Sequence, residues 1–203
     1  AAAVTNNGAL ALTGGGDESI ANMNGTGTTN LSGGSILTLN TGVSNINGVI
    51  SGAGGLTVAG GTTNLGAANT YLGATTVNSG GTLNVLAAGA IAGASTVNAG
   101  GIMTNAGTVA DVSNAGSFTN SGTAGELVNT GAGFGSNTGT LAGLVHNSTG
   151  TFDNAGAVNG GTSISKAALP HRHWPAAGLP SATALVFFFS NSSSGNMCAA
   201  LTS

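Results

Sequence analysis

Apolar positions recur along this chain in short alternating runs. Leu10-Ala11-Leu12-Thr13, Ile36-Leu37-Thr38-Leu39, Leu56-Thr57-Val58, Thr75-Thr76-Val77 and Leu83-Asn84-Val85 each place apolar or β-branched residues at every second position. Alternation of that kind argues for strands. Between the runs stand Gly14-Gly15-Gly16, Asn24-Gly25, Gly33-Gly34 and Asn47-Gly48, residues that accept the positive φ of tight corners. Strands of about three to five residues are too short to make a sandwich face singly. The pattern therefore predicts coils of short strands, each stacked on the next.

From residue 98 to 160 a second repeat emerges. Gly101-x-Met103-x-Asn105-x-Gly107, Gly116-x-Phe118-x-Asn120-x-Gly122 and Gly150-x-Phe152-x-Asn154-x-Gly156 share one pattern, and Phe134, Asn137 and Gly139 form a degenerate copy. The large residues Met103, Phe118, Phe134 and Phe152 follow one another at intervals of 15, 16 and 18 residues. That period suits one turn of a β-solenoid, with the Met/Phe series as an internal ladder and the asparagines as external or corner amide ladders. Corners at Asn114-Ala115-Gly116, Asn129-Thr130-Gly131 and Asn147-Ser148-Thr149-Gly150 fall about half a turn away, giving each coil two or three strands. About 140 residues at roughly 17 to 20 per coil predict seven or eight coils and a rod of roughly 35 to 40 Å. No coil buries its apolar face alone, so stability is expected to grow with the number of stacked neighbours.

The stretch 54–85 carries a more specific signal. Gly54-Gly55-Leu56-Thr57 leads to Asn69-Thr70-Tyr71-Leu72-Gly73, then to Thr75-Thr76-Val77-Asn78-Ser79-Gly80 and Leu83-Asn84-Val85. In order and spacing this resembles the autotransporter passenger-associated β-strand repeat of type V secretion passengers, with Leu72, Ala74 and Gly60-Gly61-Thr62-Thr63 departing from the family pattern. The resemblance implies a right-handed parallel β-helix displayed on the surface of a Gram-negative bacterium. It also implies export through the inner membrane and then through a separate C-terminal outer-membrane β-barrel. In that family such repeats form a rigid stalk and help drive outward movement as coils fold outside. Tyr71 is expected to pack at a corner, its hydroxyl reaching water or a backbone carbonyl.

Composition narrows the partners. Charged residues make up 3% of the chain, 38 of its 203 residues are glycine, and hydrophobic residues are 40%. Low charge together with recurring apolar positions favours a folded, neutral-surfaced β structure over disorder. The only cations, Lys166 and Arg172, follow residue 165. Phosphate neutralisation needs several basic side chains, so neither nucleic acid nor an anionic membrane surface is an expected partner. No run of about 18 apolar residues occurs, so no transmembrane helix is expected. Residues 1–12 lack the positive start of an export signal, and the chain is expected to be an internal fragment or a broken reading frame. One cysteine, Cys198, excludes an internal disulfide framework and a cysteine-rich metal site.

Candidate chemistry is sparse. Gly14-Gly15-Gly16-Asp17 is similar to half of a calcium-binding nonapeptide repeat, but its acid occurs once, and a solvated turn is expected at Asp17-Glu18. Asp111 and Glu126 lie 15 residues apart and are expected on adjacent coils, the kind of carboxylate pair that glycoside hydrolysis uses. Two acids one coil apart are more often surface neighbours. No Gly-x-Ser-x-Gly motif accompanies the lone candidate base His146. His171 and His173 share a strand face if extended, with Asp153 the nearest carboxylate in sequence, too few groups for a metal site.

After residue 165 the repeat vanishes. Pro170, Pro175, Pro180, Trp174 and the run Ala184-Leu185-Val186-Phe187-Phe188-Phe189 read as a non-repeat tail, disordered, capping or frame-shifted. The expected protein is all-β, with a β-solenoid over 1–164 and an irregular tail over 165–203. It is expected to have no catalytic, cofactor-binding or metal residues, and to act as a stalk, adhesion or self-association surface toward glycans or its own copies. A fragment of a β-helical glycan-active enzyme and a non-functional remnant are the alternatives.

Overall fold

A computed structural model describes residues 1–164; the expectations for the tail, including His171, His173 and Cys198, lie outside the described residues. The described residues form a β-solenoid of about eight turns, and all strand pairs among them are parallel. Its helical content among the described residues is a 3₁₀ turn at Ser32–Gly34.

Each coil visits three sides. The second side is one unbroken sheet of nine strands, from Glu18–Ile20 to Thr162–Ile164. The first side holds seven, from Val43–Ile46 to Thr151–Asn154, preceded by the pair Val4–Thr5 and Met23–Asn24. At that junction side chains stand in for ladder bonds. Met23 N–H donates to Ser44 Oγ at 3.0 Å and Asn45 N–H to Asn24 Oδ1 at 2.9 Å. Asn24-Gly25, expected as a turn, is instead the end of a strand followed by a bridge from Gly25 to Ile46.

The third side is split into sheets of three and five strands, ending at Ile50–Gly52 and resuming at Ala90–Ile91. Residues 69–71 fill the gap. Asn69 is buried and splints the coils on both sides: its Oδ1 accepts from Ile50 N–H at 2.9 Å, and its Nδ2 donates to Ala90 O at 3.1 Å. Tyr71, fully buried, plugs the core there and bonds the hydroxyl of Thr75 at 2.6 Å. Its partner is thus a side chain rather than the expected water or carbonyl. Burial pushes the phenol up to about 12.

The split marks a change of coil length. Hydrogen-bonded outer asparagines on neighbouring coils are 19 and 20 residues apart at Asn45, Asn64 and Asn84, whereas inner ones are 15 and 17 apart at Asn105, Asn120 and Asn137. In long and short coils alike, glycine permits the close approach of one corner to the next, as at Gly48 over Gly27. Any Cβ at Gly107, Gly122, Gly139 or Gly156 would run into the carbonyl oxygen of the glycine one coil before it, Gly89, Gly107, Gly122 and Gly139 in turn.

Registration of the strands fixes the core columns. On the first side Met103 and Phe118 stack inward as expected, with Leu83 preceding them in the same column. Phe134 does not join them: Phe118 pairs with Gly135, and Phe134 points outward, 39% exposed. The reason is strand alternation. Asn137 stacks on Asn120, and Phe134, three residues earlier, must face the other way. Phe152 partly refills the space, its ring lying 3.1 Å from where a Gly135 side chain would start.

The neighbouring inward column changes chemistry along the rod. Ile46, Leu65 and Val85 give way to Asn105, Asn120, Asn137 and Asn154. Across the core Val77 and Val97 give way to Asn114, Asn129 and Asn147. These asparagines were expected outside or at corners. They line the inside of the corners, and all but Asn154 are buried. Each amide is satisfied: Asn105, Asn120 and Asn137 each donate at 2.8 Å to the amide oxygen one coil on. Asn105 and Asn114 also accept the N–H of the glycine two residues later at 3.1 Å. That accounts for the Asn-x-Gly spacing, because burying an unpaired amide is costly.

Candidate functional surface

Alternation that packs one face leaves the other to solvent, and here the outward positions repeat one kind of chemistry. On the second side Ser19, Thr38, Thr57, Thr76, Thr96 and Ser113 stand in register, a file of hydroxyls on successive coils. Neighbouring strands of a sheet lie about 4.8 Å apart, so the file is a regular row of donors and acceptors. On the first side the outward file is Asn45, Asn64, Asn84, Thr104, Thr119 and Ser136. Asn64 donates to Asn45 at 2.7 Å, Asn84 to Asn64 at 2.8 Å, and the Thr104 hydroxyl to Asn84 at 2.7 Å.

Beside this amide file runs a second outward column, Val43, Thr62, Thr82, Ile102, Ser117, Phe134 and Thr151. Its apolar members Val43, Ile102 and Phe134 are exposed but separated by hydroxyl residues. Isolated apolar groups in a polar field do not amount to a protein-docking patch. Neither Lys nor Arg occurs among the described residues.

The acids behave as surface groups. Asp111 and Glu126 do fall on adjacent coils, since Val112 pairs with Leu127. Asp111 Oδ1, however, accepts the backbone N–H of Glu126 at 2.8 Å, and Glu126 Oε1 lies 3.4 Å from His146 Nε2. Both partners of that last pair are about two-fifths exposed, where an ion pair contributes little. Asp17 likewise accepts the N–H of Ile36 at 2.9 Å, joining two coils at the turn. Asp153 lies at the end of the outward amide file, away from the other acids. Among the described residues no three His, Cys, Asp or Glu side chains come together as metal ligands. No described helix is long and apolar enough to cross a membrane.

A cavity of about 420 Å³ opens at the N-terminal end of the rod, lined by Val4, Leu10, Leu12, Ile20 and Leu37 with Glu18 at its rim. Glu18 occupies an inward position, in register with Leu37. This feature and the inner asparagine files went unrecognised in the sequence. The signal for the latter was present: Met103 and Asn105 are two apart on one strand, so an internal Met103 dictates an internal Asn105. Comparison of the chain with protein-family models, with curated proteins and with solved structures found no match.

Proposed function

We propose that this chain is a non-catalytic segment of a surface-displayed, autotransporter-like passenger, a rigid spacer whose uncharged outer files present hydroxyl and amide groups to glycans or to other copies. The observation that carries the reading is the pair of outward files, Ser19 to Ser113 and Asn45 to Ser136, held in register by continuous sheets. A stiff array of neutral donors and acceptors suits hydroxyl-rich ligands, because polar contacts made by preordered groups lose little conformational entropy on binding. Phe134, exposed between the hydroxyls of Ser117 and Thr151, supplies an apolar platform of the kind a sugar ring can cover. The resemblance of residues 54–85 to the passenger repeat supports the export route and the cell-surface location.

The test is binding of the purified chain to a glycan panel and to bacterial and host cells, with Thr57→Val, Thr76→Val and Phe134→Ser as surface variants. Binding that falls in these variants while thermal melting holds supports the reading. Absence of binding to any glycan or cell and absence of self-association together would sink it. Cleavage of a polysaccharide that Asp111→Asn abolishes would favour the enzyme reading instead.

A further inference from the structure

Asparagine is a chemically labile residue, most of all when glycine follows it, because glycine has no side chain to hinder its nitrogen from closing on the asparagine carbonyl. Four such steps occur among the described residues: Asn7-Gly8, Asn24-Gly25, Asn47-Gly48 and Asn159-Gly160. Asn159-Gly160 adjoins residues outside the described stretch; the other three can be compared, and the fold treats them differently.

Two are held by hydrogen bonds. Gly25 N–H donates to Asn45 O at 3.1 Å. The Asn24 side chain is fixed as well, its Oδ1 accepting from Asn45 N–H at 2.9 Å and its Nδ2 donating to Asn22 Oδ1 at 3.2 Å. Gly8 N–H donates to Asn6 Oδ1 at 3.2 Å, and Asn7 Oδ1 accepts from Thr26 N–H at 3.4 Å. In both steps the glycine nitrogen that would attack is engaged, and the asparagine carbonyl that would be attacked is turned to another donor.

Asn47 differs on each count. It is exposed at the corner after Val43–Ile46, and its side chain has no hydrogen-bond partner among the described residues. Gly48 N–H also has no partner among them, although Gly48 is buried. Buried backbone N–H groups of that kind are rare, and this one can lose its proton with no hydrogen bond to break. Glycine is compulsory there, since any Cβ on Gly48 would strike Gly27 O. The next coil also offers a glycine, Gly66, against the Asn47 amide. The packing that demands Gly48 thus creates the labile step.

We propose that Asn47 is a site of self-modification by deamidation. Gly48 gives up its amide proton to hydroxide, and its nitrogen attacks Asn47 Cγ. The N–Cγ bond forms, the Cγ–Nδ2 bond breaks, and Nδ2 leaves as ammonia after taking a proton from water. The resulting succinimide adds water at one of its two carbonyls. Opening at Cγ gives aspartate; opening at the backbone carbonyl gives isoaspartate, with an extra methylene in the main chain. Either product puts a carboxylate two residues from Asn45, beside the outward amide file, where neither Lys nor Arg of the described residues can pair with it. Isoaspartate also lengthens the corner where Gly48 meets Gly27. It loosens the bonds on either side, Asn47 N–H to Gly25 O at 3.0 Å and Thr29 N–H to Val49 O at 2.9 Å.

Ageing of the full chain at mildly alkaline pH, folded and in concentrated urea, followed by mass spectrometry of peptic peptides, tests the proposal. Pepsin suits a chain with neither Lys nor Arg before residue 166. The readout for each asparagine is its rate in the folded chain divided by its rate in urea, which cancels the effect of local sequence. Asn47 is expected to keep most of its unfolded rate. Asn7 and Asn24 are expected to slow by about tenfold or more on folding, because their hydrogen bonds must open first. Isoaspartate at residue 47, identified by electron-transfer fragmentation, is the expected signature of ring opening. The proposal is overturned if the ratio at Asn47 is no higher than those at Asn7 and Asn24. It is equally overturned if residue 47 becomes aspartate without any isoaspartate.

Discussion

Replacing Asn120 by leucine tests whether the inner amide files hold the C-terminal coils together. The two side chains have similar size, and the column accepts aliphatic residues at Leu65 and Val85. What changes is the pairing. Asn120 donates to Asn137 Oδ1 at 2.8 Å and to Thr140 O at 3.0 Å, and it accepts from Asn105. The variant strips a partner from the buried Asn137 Oδ1 and the half-buried Thr140 O, each costing about 1 to 3 kcal/mol, while Asn105 keeps its bond to Thr123 O. Burying leucine returns about 2 kcal/mol. The net loss is centred on about 2 kcal/mol. Urea unfolding followed by circular dichroism should show it, with hydrogen exchange accelerating across residues 105–154 and not across 18–65. Replacing Asn105, Asn120 and Asn137 together by leucine should cost less than three single replacements, because orphaned partners disappear in pairs. An Asn120→Leu protein as stable as the wild type would refute the argument, showing that the file contributes no more than an aliphatic column.

Three other outcomes follow from the packing. Phe118→Asp exchanges a fully buried ring between Met103 and Gly135 for a carboxylate, forfeiting about 2 to 3 kcal/mol of burial before the charge is counted; limited proteolysis should cut near that coil, and undiminished resistance would count against the core column. Tyr71 has its folded pKa raised above the unfolded value of about 10, so its contribution is intact below pH 10 and is lost as pH climbs toward 12. Phenolate absorbance should titrate near 12, and Tyr71→Phe should remove that pH dependence. Ser95 Oγ is buried without a hydrogen-bond partner, and Ser95→Ala should raise stability by about 1 kcal/mol, read as a higher melting temperature.

Short-range patterns carried most of the fold. The strands Ile36–Leu39 and Thr75–Val77 fall on the alternating runs, because a half-buried strand needs nothing beyond period-two alternation. The interval between Met103 and Phe118 likewise equals a coil, and the two residues do stack. Placement of the acids on adjacent coils could also be read from spacing, whereas their engagement with a backbone N–H and with His146 could not.

The sequence by itself thus determined a stacked β-solenoid of neutral polar surface, since residue alternation, Gly/Asn corners and the scarcity of charge are local properties of the chain. Only the tertiary structure decided which face each position occupies across coils of unequal length. A shift of one residue in register turned Phe134 out and left Gly135 in its place, and the same register brought the asparagines inward to bond coil to coil. Register is a relation between strands distant in sequence, set by where the backbone corners can close, and for that reason it was decided by packing.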